Sequence, residues 1–491
     1  MNRRLFLQAG LAAAASLAWS DEATYRGFHA GLRRTSNLQL LSGVTGDQSG
    51  VARVEGRIPR ELNGRFFRNG PGRFELGGER YHHWFDGDGM AQCWQIANGQ
   101  VSHRGRFVRT AKFEEESAAG RFLYPSFATP LKNGRPIANN DTLNTANTNL
   151  LPHHGKLYAL WEGGSATELD PDTLETRGIV TWRDDVKAMP FSAHPKVEPD
   201  GTWWNVGAIP GRNKVALYRI AANGELLKAA VIDVPNVTML HDFVVTERHL
   251  VLLLPSYRWQ PQGVGSFLDS LHFDRQQAML AVVIDKAEFT VKQTLELPAG
   301  LVFHFGNAFD DGDTIRLDAT LFSDDGLMQA MRANMRGERI DPHSHHGDGH
   351  ATLFTLDLGK RSARSERLLA DTEFPRVDPR LVGQRHRYSY MLAARPQDTI
   401  GLSSVVRVNI EDGKTERYAF GRDWAVEEHI PVPKKGGSVD QVWLLGVARH
   451  LPSKRTVLTV FDGERVAAGP IAKAWLPYAA PLCFHGNFLA A

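Results

Sequence analysis

Short runs of alternating hydrophobic and polar residues, separated by turn dipeptides, dominate the chain from about Gly50 onward. Three of them combine a strand, an Asn-Gly or Asp-Gly turn and a second strand: residues 215–220 with 226–234, 406–410 with 415–420, and 457–461 with 466–470. That arrangement is the strongest short signal for a β-hairpin. Many evenly spaced hairpins without strand–helix alternation predict an all-β sandwich or propeller, and periodicity alone does not choose between them.

Helical periodicity is scarce. Its best case is residues 325–336, where four apolar residues recur three and four positions apart on one face: Leu327, Met328, Met331 and Met335. Such a methionine stripe either packs in the core or lines an apolar path for a substrate. No Pro/Ser-rich linker interrupts the remainder, so we expect residues 21–491 to form one domain.

The first twenty residues have the composition of an export signal. Arg3 and Arg4 precede Phe6 and an apolar run that is too short to span a bilayer. The Arg-Arg-x-Phe-Leu order resembles a twin-arginine signal. We therefore expect residues 1–20 to direct export to the periplasm, with a frayed amphipathic N-terminus as the alternative.

Charge and cysteine content narrow the chemistry. Lys and Arg number 57 against 55 Asp and Glu, so the net charge of +2 gives no support for a nucleic-acid partner. Cys93 and Cys483 are the two cysteines, against nineteen histidines. A metal site must therefore use imidazole or carboxylate ligands. In an exported chain the two cysteines could pair, but we expect two separate thiols because no pattern places them together.

The histidines divide by their surroundings. The densest group, His343, His345, His346 and His350, stands among Gly, Asp, Ser and Pro, and we expect a solvated loop there rather than a surface metal site. Four others stand beside apolar strand sequence: His194, His241, His304 and His485. Burying an imidazole among Phe, Leu and Val is costly unless its nitrogens have partners.

One such histidine would be an ordinary core residue, but four of them indicate strands that converge on one point. The central channel of a propeller provides this geometry. Four neutral imidazoles suit Fe, Cu, Zn or Ni. Glu162 and Glu373, acidic residues in apolar surroundings, could accept the second N–H of a ligating imidazole.

Several separated motifs resemble the carotenoid cleavage oxygenase family, from about residue 50 to the C-terminus. Besides the four histidine contexts they are residues 61–72 (Glu-Leu-Asn-Gly-Arg-Phe-Phe-Arg-Asn-Gly-Pro-Gly), 83–90 (His-Trp-Phe-Asp-Gly-Asp-Gly-Met), 146–149 (Ala-Asn-Thr-Asn), 160–164 (Leu-Trp-Glu-Gly-Gly), 373–375 (Glu-Phe-Pro) with 387–388, and 484–486 (Phe-His-Gly). The resemblance implies a seven-bladed β-propeller with Fe(II) on its axis, capped on one face by short helices and loops.

The resemblance also implies roles for particular residues. The four histidines above would be the iron ligands, with Glu162 and Glu373 as two of three glutamates that hold their imidazoles. The third glutamate is expected after a Glu-Pro-x-Phe-Val-Pro segment. Aligned from Trp443, that position falls on Val439, so Asp440 is the candidate substitute. Thr148 would sit close to the iron, and Phe303 would line the substrate site.

The implied activity is cleavage of a conjugated C=C bond by O2 into two carbonyl products. Stilbene-cleaving members tend to carry a lysine where this chain has Trp161, which favours a carotenoid or apocarotenoid over a lignostilbene. A different class, an exported propeller that binds a ligand without turnover, remains an alternative. Residues 327–335 and 257–267 are candidates for a peripheral membrane contact, and the sequence does not determine the oligomeric state.

Overall fold

The computed structural model describes residues 21–131, 133–261, 265–338, 349–394 and 402–491. Seven antiparallel sheets of four or five strands make up most of this part of the chain. Their innermost strands contact those of neighbouring sheets around a common axis. The predicted seven-bladed β-propeller is therefore confirmed.

The strands of the first four blades follow one another from the axis outward. Blade 1 contains His485–Ala490, Gly64–Arg73, Asp88–Ala97, Gln100–Phe107 and Gln48–Val51. Blade 2 contains Asn149–His153, Lys156–Leu160, Thr167–Leu169 and Thr176–Ile179. Blade 3 contains Lys196–Val197, Trp203–Ile209, Lys214–Ile220 and Leu226–Asp233. Blade 4 contains Val244–Val245, His249–Leu254, Met279–Asp285 and Thr290–Leu297.

The last three blades have the same order from the axis outward. Blade 5 contains Leu301–Asp311, Thr314–Phe322, His350–Asp357 and Ser362–Ala370. Blade 6 contains Thr372–Arg376, Tyr388–Ala393, Ser404–Asn409 and Thr415–Ala419. Blade 7 contains Trp424–Pro433, Val442–His450, Arg455–Asp462, Ala472–Trp475 and Arg53–Gly56.

The smaller elements connect these strands. The α-helices in the described residues are Asp21–Leu32, Ala111–Ala119 and Gly326–Met335. Short 3-10 helices are Ser36–Leu41, Trp84–Asp86, Asn140–Leu143, Asp184–Val186, Leu268–Ser270, Pro379–Leu381 and Val466–Ala468. Two small hairpins pair Glu75–Leu76 with Glu79–Arg80 and Tyr257–Trp259 with Leu271–Phe273.

Both ends of the chain close the ring. The last strand, His485–Ala490, pairs with Gly64–Arg73, so that Asn69 lies opposite His485. Arg53–Gly56 adds an outer strand to Ala472–Trp475 of blade 7. Blades 1 and 7 therefore each combine strands from the beginning and the end of the chain, and this closes the ring.

Two of the three predicted hairpins are confirmed, in blades 3 and 6. In the third, Arg455–Asp462 is a strand, but the predicted second strand at residues 466–470 is wrong. Val466–Ala468 is a 3-10 helix, and Arg455–Asp462 pairs with Ala472–Trp475 instead. The reason is packing: the Val466 side chain is completely buried in the apolar cluster between blades 6 and 7, which holds the short helix in place.

Apolar side chains fill the spaces between neighbouring sheets. Between blades 4 and 5, Val283, Leu317 and Phe354 are completely buried. At about 25 cal/mol per Å² of apolar surface removed from water, such clusters are the main source of stability. The predicted helix is present as Gly326–Met335 between two strands of blade 5, and its Met328 packs in one cluster with Phe303.

Cys93 and Cys483 are both buried and free, which confirms two separate thiols. His343, His345 and His346 lie outside the described residues, as do residues 1–20, whereas His350 begins a strand of blade 5. Within the described part of the chain, no helix has both the length and the apolar character needed to cross a membrane.

Candidate metal centre

Four histidines from four blades meet at the propeller axis. His194 and His241 lie two and three positions before the short inner strands of blades 3 and 4. His304 lies in the inner strand of blade 5, and His485 begins that of blade 1. One ring nitrogen of each lies within 4.8 Å of the others. The Nε2 atom of His241 is 3.0 Å from that of His194 and 3.1 Å from that of His304.

Carboxylates contact the outer nitrogen of three of these imidazoles. Glu162 contacts Nδ1 of His241, Nδ1 of His304 donates to Glu373 over 2.7 Å, and Nδ1 of His485 donates to Glu428 over 3.0 Å. A carboxylate that accepts from Nδ1 fixes the tautomer in which Nε2 carries the free lone pair. Three lone pairs are thus directed at one point, which fits a bound metal ion.

The third carboxylate corrects the sequence analysis: Glu428, and not Asp440, holds His485. Asp440 lies in the turn after Trp424–Pro433, where its backbone N–H donates to Asp378. Glu428 lies inside that inner strand, at a shift of register between Val426 and His429. Such a bulge changes the direction in which the following side chains point, so the carboxylate faces the axis from within the strand.

His194 is held differently from the other three. Its backbone N–H donates to the Ser192 hydroxyl, and no acidic side chain in the described part of the chain bonds to its ring. Burial holds the pKa of His194 well below its usual range, and burial likewise lowers the pKa of His485 to about 3. Both imidazoles are therefore neutral at pH 7, the form that binds metals.

The pKa of His241 is shifted in the opposite direction. Burial opposes its protonation, but the nearby carboxylates Glu162, Asp242 and Glu373 together raise the pKa of His241. A metal ion and a proton are alternatives at this imidazole, and the neighbouring carboxylate favours the protonated form.

Aromatic rings cover the histidines. The Phe303 ring lies 5.5 Å from that of His241, edge to face, and the Phe374 ring stacks on His304 at 4.9 Å. Phe85 lies between Phe303 at 6.5 Å and Phe484 at 5.4 Å, measured between ring centroids. These rings form an apolar wall beside the four-histidine cluster.

Phe303, predicted to line the substrate site, has its ring against that of His241. Thr148 is buried at the start of blade 2, and its hydroxyl donates to Asn147 over 3.0 Å. Sequence reasoning missed Glu428 together with two arginines that contact it, Arg68 and Arg376. The available signal was the pair Glu427-Glu428 within a strand that is apolar apart from these two residues and His429.

Comparisons with known proteins agree with this architecture. The sequence profile of the retinal pigment epithelial membrane protein family matches residues 44–490. The apocarotenoid-15,15'-oxygenase of Synechocystis sp. is 30% identical over 472 residues, covering 89% of this chain and 92% of the relative. The lignostilbene-alpha,beta-dioxygenase isozyme III of Sphingomonas paucimobilis is 29% identical over 465 residues, covering 89% and 92%.

A solved structure of a variant of the Synechocystis apocarotenoid oxygenase superimposes with a TM-score of 0.82 at 25% identity, covering 97% of this chain and 100% of that one. Fold and site together define the class: an alkene-cleaving oxygenase with a four-histidine metal site at the axis of a seven-bladed propeller. The chain belongs to the family of retinal pigment epithelial membrane protein and the carotenoid cleavage oxygenases.

Proposed function

We propose that this protein binds Fe(II) at the four histidines and uses O2 to cleave a conjugated double bond of a carotenoid or apocarotenoid. The observation that carries the proposal is the set of three carboxylate-held imidazoles beside an apolar wall. The reaction adds one oxygen atom to each carbon of the broken C=C bond and gives two carbonyl products, so no other reductant is needed.

The donor set suits ferrous iron. Four neutral nitrogen ligands leave up to two positions open on a metal that prefers six ligands. When bound, Fe(II) supplies the open positions at which O2 is activated toward an alkene. The chain contributes the fixed imidazole orientations through Glu162, Glu373 and Glu428.

The residues around the site support an apolar substrate. Phe303 and Phe374 lie against the histidine rings and exclude water from that side. Trp161 occupies the position where a phenolate-binding lysine would favour a stilbene. The Trp161 ring packs on Gly163 so closely that a Cβ added there would lie 2.5 Å from the ring. Thr148, with its hydroxyl turned to Asn147, is proposed to limit access to the open metal positions.

The substrate class is tested by incubating iron-loaded protein with an apocarotenal and, separately, with a hydroxystilbene. We expect aldehyde products from the apocarotenal, detected by chromatography and mass spectrometry, and none from the His304→Ala variant. Cleavage of the stilbene alone would replace the proposed substrate by a lignostilbene-type alkene. Full iron occupancy without O2 uptake on either alkene would favour a binding protein.

The same incubation under ¹⁸O₂ tests the dioxygenase assignment. We expect one labelled oxygen in each of the two carbonyl products when exchange with water is corrected for. Label in one product only would indicate a monooxygenase. The measurement is independent of which alkene is cleaved.

We also propose export through the twin-arginine signal at residues 1–20, with peripheral contact to membranes where apolar polyenes reside. Replacing Arg3 and Arg4 by lysine should leave the protein in the cytoplasm, measured by cell fractionation, because that route requires both arginines. Periplasmic accumulation of the double variant would contradict the proposal. Sedimentation of the mature protein with lipid vesicles tests the membrane contact.

A further inference from the structure

Arg376 connects three blades at the metal centre. It ends the inner strand of blade 6, Thr372–Arg376, and its Nη1 donates to Oε1 of Glu428 in blade 7 over 3.2 Å. Its Nη2 donates to the carbonyl of Gly486 over 3.3 Å and to Oδ1 of Asn487 over 3.2 Å, both in blade 1. The guanidinium thus contacts the carboxylate that holds His485 and the strand that carries His485.

A bulge in the inner strand of blade 6 places Arg376 there. The register against Tyr388–Ala393 shifts between Glu373 and Arg376, and Phe374 has a φ of 57°. The left-handed region is unfavourable for an aromatic residue, so the surrounding contacts must hold this conformation. The bulge directs Glu373 to His304 and Arg376 to Glu428, and one short segment thereby reaches two of the four histidines.

Both oxygens of Glu428 are fully occupied. Oε1 accepts from His485 and Arg376, and Oε2 accepts from Arg68 over 2.8 Å and from the backbone N–H of Gly486 over 3.1 Å. A carboxylate with two donors on each oxygen has one favourable orientation. The orientation of the His485 ring follows from it, because Nδ1 donates to one of those oxygens.

The other two carboxylates are held more loosely. The Glu162 side chain is 33% exposed, and the Oε1 atom of Glu373 is buried without a hydrogen-bond partner in the described residues. Among the described residues, no arginine or lysine bonds to either of them. Within the described part of the chain, the carboxylate that holds His485 is therefore the one of the three with arginine partners.

We propose that Arg376 is a positioning residue for the metal centre: together with Arg68 it holds Glu428 in the one orientation in which His485 presents Nε2 to the metal. The inference rests on the metal site of the proposed function and adds a residue to it, without depending on the alkene. Loss of Arg376 leaves Oε1 of Glu428 with one donor, and the His485 ring then gains freedom to turn away.

The test is a titration of the metal-free protein with Co²⁺. The binding is monitored through the visible absorption bands, whose intensity reports the coordination number of the metal. We expect Arg376→Gln to bind Co²⁺ about tenfold more weakly than the wild type and with altered absorption bands. This is the lower end of the loss seen when residues that hold a metal ligand in place are removed. Arg376→Lys, which keeps the charge, should recover part of the affinity. The matched control is Arg407→Gln, which removes the arginine 2.6 Å from Glu416 in the same blade and should bind Co²⁺ like the wild type.

A double variant separates positioning from general stabilisation. If Arg376 acts through Glu428, adding Arg376→Gln to Glu428→Gln changes the Co²⁺ affinity no further. Wild-type affinity and bands in Arg376→Gln, or fully additive losses in the double variant, would overturn the proposal. So would a fall in melting temperature with unchanged Co²⁺ binding, since that is the result of a purely structural role.

A failure of the proposed function and a failure of the role of Arg376 give different results in these experiments. If the wild type binds one Co²⁺ but its iron form cleaves no alkene, the substrate proposal fails and the assignment of Arg376 stands. If the wild type binds no Co²⁺ at all, the metal centre fails, and the role of Arg376 fails with it.

Discussion

Replacing Glu428 by glutamine should weaken both the metal centre and the fold. The change keeps the shape of the side chain but leaves one acceptor oxygen where two oxygens accept from four donors at 2.8 to 3.2 Å. Among the described residues, the completely buried Arg68 then keeps one carboxylate partner, Glu427, at 3.2 Å. Breaking a buried ion pair by removing one partner costs about 3–5 kcal/mol, and we expect about 3 kcal/mol because Glu427 remains.

The size of the thermal shift follows from the length of the chain. At about 2.1 cal/mol/K per residue, 491 residues give an unfolding entropy of about 1 kcal/mol/K, so the melting temperature of the metal-free protein should fall by about 3 °C. Metal affinity should fall by about 10- to 100-fold, the usual effect of removing the partner of a ligating histidine. Calorimetry and Co²⁺ titration measure the two effects.

Asp440→Asn is the matched control, because Asp440 is the carboxylate that sequence reasoning placed on His485. Its backbone N–H, which the substitution keeps, donates to Asp378. We expect wild-type metal affinity in this variant. Loss of metal in Asp440→Asn with full binding in Glu428→Gln would refute the assignment of Glu428 to His485.

Three further outcomes are expected. His304→Ala should abolish binding of one metal ion per chain, whereas the exposed His272→Ala should not; full metal content and activity in His304→Ala would remove the basis of the site. Burial lowers the pKa of His103 from 6.5 to about 3. Between these two pH values, the unfolded chain therefore binds a proton at His103 that the folded chain does not bind. The free energy of unfolding therefore decreases as pH falls through that range. Between pH 7 and pH 5, the decrease measured by urea unfolding should be about 2 kcal/mol smaller in His103→Gln than in the wild type, at 1.36 kcal/mol per pH unit. An equal decrease in both proteins would contradict the lowered pKa of His103. Gly446→Ala should cost about 1–3 kcal/mol because its Cβ would lie 2.2 Å from the ring of buried His429, while Gly46→Ala, with open space around it, should be neutral in the same assay.

Local pattern was sufficient for two of the three predicted hairpins and for the chemical type of the site. Alternating residues around Asn223-Gly224 and Asp412-Gly413 specify hairpins by short-range turn chemistry, and both are present. A histidine within apolar strand sequence indicates a functional or hydrogen-bonded imidazole, because burying an imidazole without a partner costs free energy. His194, His241 and His304 were identifiable for that reason.

Which side chains of a strand face the axis was harder to predict. Glu428 and Arg376 lie at or beside shifts of register, where the alternation of inward and outward side chains is interrupted. Because the period of a strand is two residues, one extra residue reverses which side chain faces the axis. Sequence reasoning placed the third carboxylate after Pro433, whereas the bulge places it within the preceding strand.

The sequence by itself therefore determined a chain of short hairpins with four apolar-flanked histidines, and with them a nitrogen-ligand metal site. Only the tertiary structure decided which carboxylate holds His485 and that Arg68 and Arg376 meet on it, from segments about 300 residues apart in the chain. The reason is physical. Hairpins form through contacts between neighbours, whereas the axis is assembled by ring closure, in which His485–Ala490 pairs with Gly64–Arg73 near the other end of the chain. No local pattern records what lies across that axis.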